Sequence, residues 1–516
     1  MANGMGSLMV GATGLRSSQT ALNTTAHNLS NVNTEGYTRQ QITFADSTYA
    51  NVFSKSLNKG KYGLGVDIDA ISRIRNEFID RSYRTESSRL GFYESQANAV
   101  YEVEDWFGEM QGVTYQQHIT NLYNAVNELT KNPTSTIARS SLIQNATAFI
   151  DRSEAIYSGL KDYQVTLNTE VNNMVEKINS LGQKIYNLNK GIVKVEAEGV
   201  ERANDLRDSR DLALDELSKY IDIDYYETKD GEVIVSAENV PFITKNDIAK
   251  MSVREEGTYG LLIPQWEGYQ QDVYNFDKQA NNANDTDKGK LKGLLIARGV
   301  IEVNYTDIPV MPERADYDLT TEQGMAEYNS AMDAYQQKQD YYNKYIEPSA
   351  ILSAIAGFDK LVNGIVTAMN DVLCPETTMD TTKELTDADG NILKAEKYVY
   401  NASTHDVLYD SHGNVVAGKE NGDGTYSYEA SEKLYVDANQ EETENIDSMT
   451  YKILDMSKAG YGMDDDETRG VELFKRNGTD RYKQITGADG STIYVRNNLN
   501  VTGFETDYTL GNLIVN

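Results

Sequence analysis

The chain has 516 residues, of which 39% are hydrophobic, a formal net charge of -31, one cysteine (Cys374) and four histidines. That length accommodates roughly two to four domains at ~100–200 residues each, with enough apolar material for real cores. The negative balance argues against nucleic acid or an anionic membrane as partner, and a lone cysteine excludes an intramolecular disulfide or a cysteine-built zinc site.

The N-terminus, Met1-Ala-Asn-Gly-Met-Gly-Ser-Leu8, lacks the basic n-region and apolar h-region of a signal peptide. A chain of this kind is expected in the cytoplasm, or outside it by a route that ignores cleavable signals. No run approaches the ~20 apolar residues expected of a membrane span.

The first predicted element is a helix over about residues 6–30. Leu8, Leu15, Leu22 and Leu29 recur every seven residues, with Ala12, Gln19 and Ala26 four places after the first three. This narrow leucine seam suits a partner helix better than a globular core. Gly11 and Gly14 each cost about 1 kcal/mol relative to alanine inside a helix, so the segment is expected to be marginal until it finds that partner. The helix should end in a shaped loop at Asn28-Leu-Ser-Asn-Val-Asn-Thr-Glu-Gly-Tyr-Thr-Arg39, where Asn and Ser compete for backbone hydrogen bonds and Gly36 can take positive φ. Residues 40–72 alternate as β-strands do, punctuated by Gly60, Gly63 and Gly65.

Helical text resumes near Asn76. One helix should cover 118–131, with Ile119, Leu122, Tyr123, Val126 and Leu129 on one face and Asn132-Pro133 stopping it. A very long helix is predicted over 135–198. Its second half carries two seven-residue series, Val171, Ile178, Ile185, Ile192 and Met174, Leu181, Leu188, Val195, an a/d seam that demands a partner helix. A further helix is expected at 202–220. Two candidate partners follow: Met325, Tyr328, Met332, Tyr335, Gln339, Tyr342 and Ile346, then, beyond Pro348, Ile351, Ile355, Phe358, Val362, Ile365, Met369 and Val372. Residues 76–220 and 320–372 are therefore read as one elongated antiparallel bundle.

Glu232–Ser236, after Asp230-Gly231, reads as a hairpin strand, and Asn281–Asp287 as a polar, mobile loop. From Pro375 onward short alternating strands are separated by Asp389-Gly390, His412-Gly413, Asp423-Gly424, Asn477-Gly478 and Asp489-Gly490, the pattern of a separate all-β domain. The fold expected is α+β and multidomain. It comprises an N-terminal assembly helix and loop (1–40), a helical bundle in two parts (41–224 and 291–374), a small β-rich insertion (225–290) and a β-rich outer domain (375–516).

Catalytic patterns are missing from the sequence. His405 and His412 match no standard metal spacing, and Gly63-Leu-Gly65 is too short for a dinucleotide loop. Asp464–Glu467 offers oxygen ligands for Ca²⁺ but reads as a solvated acidic face, and Asp387-Ala-Asp-Gly390 lacks the rest of an EF-hand loop. The expectation is no enzyme, no cofactor and no metal.

Three segments carry a resemblance. Leu22–Arg39 looks like the signature of flagellar rod, hook and hook-associated proteins, a helix leading into Asn-Leu-x-Asn-x-Asn-Thr-x-Gly-Tyr and a basic residue. Gly36–Gln41, Ala203–Leu217 (Ala-Asn-Asp-Leu-Arg-Asp-Ser-Arg-Asp) and Lys290–Arg298 resemble the hook-associated protein 1 branch of that family. The resemblance implies a structural part of the bacterial flagellum at the hook–filament junction, exported without a cleaved signal and polymerising through terminal helices. Another axial position (hook, distal rod or filament), or an axial protein carrying an enzymatic or ligand-binding outer domain, are the alternatives.

The implied partners are copies of itself in a ring, the hook protein, the second junction protein and through it the filament, and a cytoplasmic export chaperone, with no nucleic acid or membrane. The implied location is extracellular, in the flagellum, and cytoplasmic before export. The implied assembly interface comprises Leu8, Leu15, Leu22, Leu29, Val32, Asn28, Asn31, Asn33, Gly36, Tyr37 and Arg39. Such proteins also finish in an amphipathic helix, whereas Thr509–Asn516 is strand-like, so the expectation is a chain cut before that helix.

Overall fold

A computed structural model describes residues 2–52, 60–108, 114–197, 202–256, 260–276, 280–317, 319 and 322–381 and, beyond these, 396–397, 419–420, 426–427, 449–460, 471–486, 492–497 and 508–516. His405, His412, Asp464–Glu467, Asp387–Gly390 and the Asp423 and Asp489 turns lie outside the described residues.

The fold is mixed α+β. Helix α1 spans Ala2–Ser30, and strands β1 (Gln40–Asp46) and β4 (Val66–Arg73) pair antiparallel, as do β2 (Tyr49–Val52) and β3 (Gly60–Gly63). Helices α2 (Glu77–Phe107), α3 (Tyr115–Lys131), α4 (Thr136–Glu196, 61 residues) and α5 (Asn204–Tyr220) follow. Two three-stranded antiparallel sheets come next, β5 (Ile223–Glu227), β6 (Val233–Ala237) and β7 (Val240–Ile243), then β8 (Met251–Glu256), β9 (Leu261–Trp266) and β10 (Gln271–Asp272). Helices α6 (Lys290–Arg298), α7 (Glu322–Tyr345) and α8 (Ala350–Leu373) lead to the tail. There β11 (Glu376–Thr381), β15 (Met449–Leu454), β18 (Thr492–Arg496) and β17 (Tyr482–Thr486) form a sheet in that order, with β12 (Glu396–Lys397) also on β15. Strand β13 (Lys419–Glu420) pairs with β14 (Tyr426–Ser427), and β16 (Phe474–Arg476) with β19 (Leu513–Val515).

The chain divides into two compact units, residues 1–98 with 165–300, and residues 99–164 with 301–516. This division changes the meaning of the predicted seam. The second half of α4 belongs to the first unit and α8 to the second, so each seam is described with the core of its own unit. Val171, Met174, Ile178, Leu181, Ile185 and Ile192 are buried as expected, joined by Leu167 and Val175, whereas Leu188 is half-buried and Val195 exposed. The buried stripe is wider than an a/d seam, since this part of α4 meets strand backbone at Val233, Met251 and Leu262 as well as Leu206 of α5.

Three asparagines on that face explain the fit. Asn179 donates from Nδ2 to the Met251 carbonyl (2.8 Å) and accepts the Met251 N–H (2.9 Å), and Asn189 does the same for Val233 (2.8 and 3.1 Å). Asn168 takes the Gly260 carbonyl and the Leu262 N–H. A side-chain amide presents the donor and acceptor that a neighbouring strand would, so each asparagine satisfies strand backbone beside an apolar helix face. The ring of Phe242 covers Gly182, where an added Cβ would lie 2.5 Å from it.

In the second unit Phe107 and Tyr115 pack edge-on against Phe358 (5.2 and 4.9 Å), and Tyr115 and Phe474 flank Phe149. Helix α8 buries Ile351, Leu352, Ile355, Phe358, Val362 and Val366. Against expectation, Ile365 and Met369 are only half-buried and Val372 is 79% exposed. The buried positions step at the 3.6-residue period of a straight helix in a globular core, which drifts off a strict heptad within three turns.

The tail strands are not separate from this core. Asn370 at the buried end of α8 donates to the Phe474 carbonyl (2.6 Å) and accepts the N–H groups of Leu473 and Phe474 (3.1 Å each). Asp359 accepts the N–H of Leu510 (2.7 Å) and of Tyr305 (2.9 Å). Among the described residues α8 is the one helix long and apolar enough to cross a membrane, with mean hydropathy 1.4 in its best window, so one run does reach that length. Its buried Asp359 and Asn370, both committed to backbone groups of this fold, mark it as a core helix.

The segment 281–287, expected to be a mobile loop, is built. Asn281 accepts the Asn284 N–H to cap a short 3-10 turn, Arg89 and Lys288 bind Asp285, and Tyr93 donates to the buried Asp287 (2.8 Å). Asp287 is buried there, while Asn282, Asn284 and Asp285 stay exposed.

Candidate assembly surface

Helix α1 is inverted relative to an ordinary surface helix. The face it turns toward the β1–β4 hairpin is small and polar. Thr13 Oγ1 reaches the Leu64 carbonyl (3.4 Å), and the buried Ser17 reaches the Val66 carbonyl (3.4 Å). Gly65, at φ +112°, permits this approach, since a Cβ there would sit 3.3 Å from the Val10 Cα. The opposite face carries the leucines. Leu8, Leu15, Leu22 and Leu29 are 76%, 75%, 70% and 74% exposed, and Val32 continues the line. Burying an exposed leucine fully is worth about 1.5–3 kcal/mol, so this face holds a large unused driving force for association. The helix has no acidic residue in a chain of net charge -31. A second helix can therefore approach it without the repulsion that the rest of the surface generates.

The loop after α1 fixes how that face is presented. Asn28 donates to the Gln40 carbonyl and accepts the Gln40 N–H (2.9 Å each), and also accepts the Tyr37 hydroxyl (2.8 Å). Tyr37 meets His27 edge-on and contacts its Nδ1 at 3.0 Å, and burial with Asp208 nearby raises its phenol above the ordinary value. Gly36, at φ +77°, lies against Leu212 of α5, whose Cβ would be 3.1 Å from an added Cβ. Asn31 donates to the His27 carbonyl and accepts Thr34 Oγ1. Asn28, Asn31, Gly36 and Tyr37, all half-buried, thus make contacts within the chain that shape this loop. Val32, Asn33 and Arg39 are exposed.

Helix α5 is the anchor, and its acidic-basic text has a specific use. Asp208, Asp211 and Asp215 stand on one face at i, i+3 and i+7. Asp208 accepts the Thr38 N–H (3.1 Å), and Arg73 of β4 donates to both Asp208 and Asp211 (2.7 Å each). Arg75 lies 3.4 Å from Asp211 and Arg84 2.7 Å from Asp215. On another face Arg207 is bidentate to Glu196 (2.8 Å each), and Arg210 donates to Glu227 (3.0 Å) and the Gly231 carbonyl (2.6 Å). Arg207 holds the Glu196 carboxyl at about 2, below its usual range, and burial lowers Arg210. The network joins α1's loop, the hairpin, α2 and α5 into one base. Arg73, Arg75 and Arg84 were not singled out from sequence. Their alternation with Asp208, Asp211 and Asp215 across 130 residues of chain carries no local signal.

A second exposed apolar line, also unforeseen, runs along α2 through Phe78, Ile79, Tyr83, Leu90 and Tyr101. Among the described residues no group of three or more His, Cys, Asp or Glu could hold a metal ion. Cys374 is buried, and that burial pushes its thiol up to about 11, away from reactivity.

Residues 8–38 match the family description "Flagella basal body rod protein", and residues 100–331 match "Flagellar hook-associated protein FlgK helical domain". Flagellar hook-associated protein 1 of Bacillus subtilis (strain 168) is 30% identical over 310 residues, 58% of this chain and 61% of that protein. The protein of the same name from Salmonella typhimurium is 26% identical over 213 residues, 41% of this chain and 37% of that one. This chain therefore spans about three fifths of the first relative's length and less of the second's. The structure of the flagellar hook junction protein FlgK from Burkholderia pseudomallei aligns at 13% identity and TM-score 0.40, covering 84% of this chain and 64% of that one. The rod-type match ends in the loop that Asn28, Gly36 and Tyr37 build, and the helical-domain match contains the anchoring helix α5. Over these segments the chain is similar to flagellar rod proteins and to flagellar hook-associated protein 1.

Proposed function

We propose that this chain is a structural subunit of the bacterial flagellum at the junction of hook and filament, without enzymatic activity, and that it assembles through the leucine face of α1. The observation that carries this reading is the inversion of α1. Its polar face is tied to its own fold, while Leu8, Leu15, Leu22 and Leu29 face solvent. A helix held in register by one face and apolar on the other is completed by a neighbour, and a repeated heterologous contact of that kind gives a ring where its rotation closes. The partners proposed are further copies of itself, the hook protein on one side and the second junction protein on the other. A cytoplasmic chaperone would shield the leucine face before export. The relatives' shared name, hook-associated protein 1, supports this placement.

The test is the double substitution Leu15→Asp and Leu22→Asp. Two carboxylates in a buried seam abolish packing, so cells carrying it are expected to be non-motile and to release unpolymerised filament subunits. The purified chain should keep its helical circular dichroism. Normal motility with both substitutions in place would refute the reading.

A further inference from the structure

The first unit contains a joint where three backbones meet over a carboxylate. The turn between β6 and β7 is Glu238–Asn239, with φ +47° and +64°, between the paired residues Ala237 and Val240. Asparagine suits that left-handed backbone, and glutamate does not, so Glu238 is held there by its surroundings. Its N–H donates to the Asp222 carbonyl at the start of β5 (3.1 Å). Gly289, at φ +88°, abuts the same stretch, since a Cβ on it would lie 3.2 Å from the Ile221 Cα and the Tyr220 carbonyl. Glu238 Oε1 and the hydroxyl of Tyr274 are buried side-chain atoms without a hydrogen-bond partner among the described residues.

The charges around this joint do not balance. The groups around it are Asp222 just before β5 and Asp224 within it, Tyr274 after β10, Asp285, and Lys288 and Lys292 beside and within α6. Lys288 is taken by Asp285 (2.7 Å) and lies 3.7 Å from Asp222, and Lys292 sits over the Tyr274 ring at 5.9 Å. Burial first, and Asp222 beside it, push the Glu238 carboxyl up to about 7.

We propose that the Glu238–Asn239 turn is a proton-sensitive latch, which in its protonated form closes the β5–β7 sheet onto the Asp285–Lys292 segment and on ionising loosens it. The sign follows from linkage. Glu238 binds its proton more tightly folded than unfolded. The stabilisation is therefore complete below the ordinary carboxylate range and is lost as pH rises through about 7. One proton taken up on closing, and released on opening, changes the closed-to-open ratio by at most about tenfold per pH unit within that window.

Amide exchange of the full chain, corrected for intrinsic rates, reads this directly at β6 and β7. Protection there is expected to fall at least about tenfold between pH 5 and pH 8 in the wild type. In Glu238→Gln it should stay at the pH 5 level throughout. Glu238→Asn, which suits the left-handed turn, should be equally flat and serves if the glutamine variant folds poorly. Wild-type protection that is constant across this range would overturn the proposal, as would a fall that persists in both variants.

Discussion

Helices α1 and α8 look alike in sequence, each with apolar residues three, four or seven places apart, and they lie on opposite sides of the solvent boundary. Helix α8 buries Ile351, Ile355, Phe358, Val362 and Val366 and anchors its two inward polar residues, Asp359 and Asn370, on backbone groups of the tail. Helix α1 turns Thr13, Ser17 and Asn28 toward its own fold and leaves four leucines outside. Hydrophobic pattern says that a face will be covered, and the polar residues opposite or beside it say by what. In α8 the polar groups have partners on the covered side, so the core is internal. In α1 they bind the reverse side, so the apolar face awaits another helix.

The sharpest way to break this comparison is to place the same charge on both helices. Val362→Asp buries an unpaired carboxylate in a fully covered site and is expected to destabilise the second unit by about 4–5 kcal/mol or more, seen as a lost or sharply lowered unfolding transition. Leu15→Asp should leave the stability of the isolated chain within about 0.5 kcal/mol.

The asparagines give the next contrast. Asn370→Ala strands two N–H groups and a carbonyl in the core, an expected loss of about 3 kcal/mol in denaturant unfolding. Asn28→Ala, part-exposed, should cost about 1 kcal/mol and release α1's loop, visible as faster amide exchange at Tyr37 and Gln40.

Acid should act on the α4–α5 junction of the first unit. Arg207 depresses Glu196, so their pairing contributes fully above the ordinary carboxylate value and is lost as pH falls toward about 2. Arg207→Gln should flatten that acid limb in a stability–pH profile, by about 1–2 kcal/mol for this half-buried, bidentate pair. The smallest effect concerns Gly11. Nothing lies within 4 Å of a Cβ there, so Gly11→Ala should strengthen α1 by about 0.5–1 kcal/mol in helicity.

The helices were legible in the sequence because Pro133, Pro348 and long apolar periods are local signals. The extent of α4 and the leucine line of α1 follow from them. Partner choice was not local. Val171–Ile192 reads as a coiled-coil seam, yet Asn168, Asn179 and Asn189 on the same face commit it to strands. The signal was present in those amides and is meaningful only once strand backbone is known to lie opposite. Likewise Ile365, Met369 and Val372 fit a heptad, while the helix follows its own 3.6-residue period and buries Val366 and Asn370 instead. The internal contacts of the loop were hidden for the same reason. Asn28, Gly36 and Tyr37 serve contacts with Gln40, Leu212 and Asp208 that no spacing rule announces.

Thiol labelling of Leu22→Cys tests the central claim most directly, because the native Cys374 is buried and its thiol is pushed up to about 11, leaving the new site as the reporter. In the soluble monomer the thiol should react at the rate of a free cysteine, and in isolated hook–filament junctions it should be protected by a hundredfold or more. A thiol already protected in the monomer would contradict the account, as would one still freely reactive after assembly.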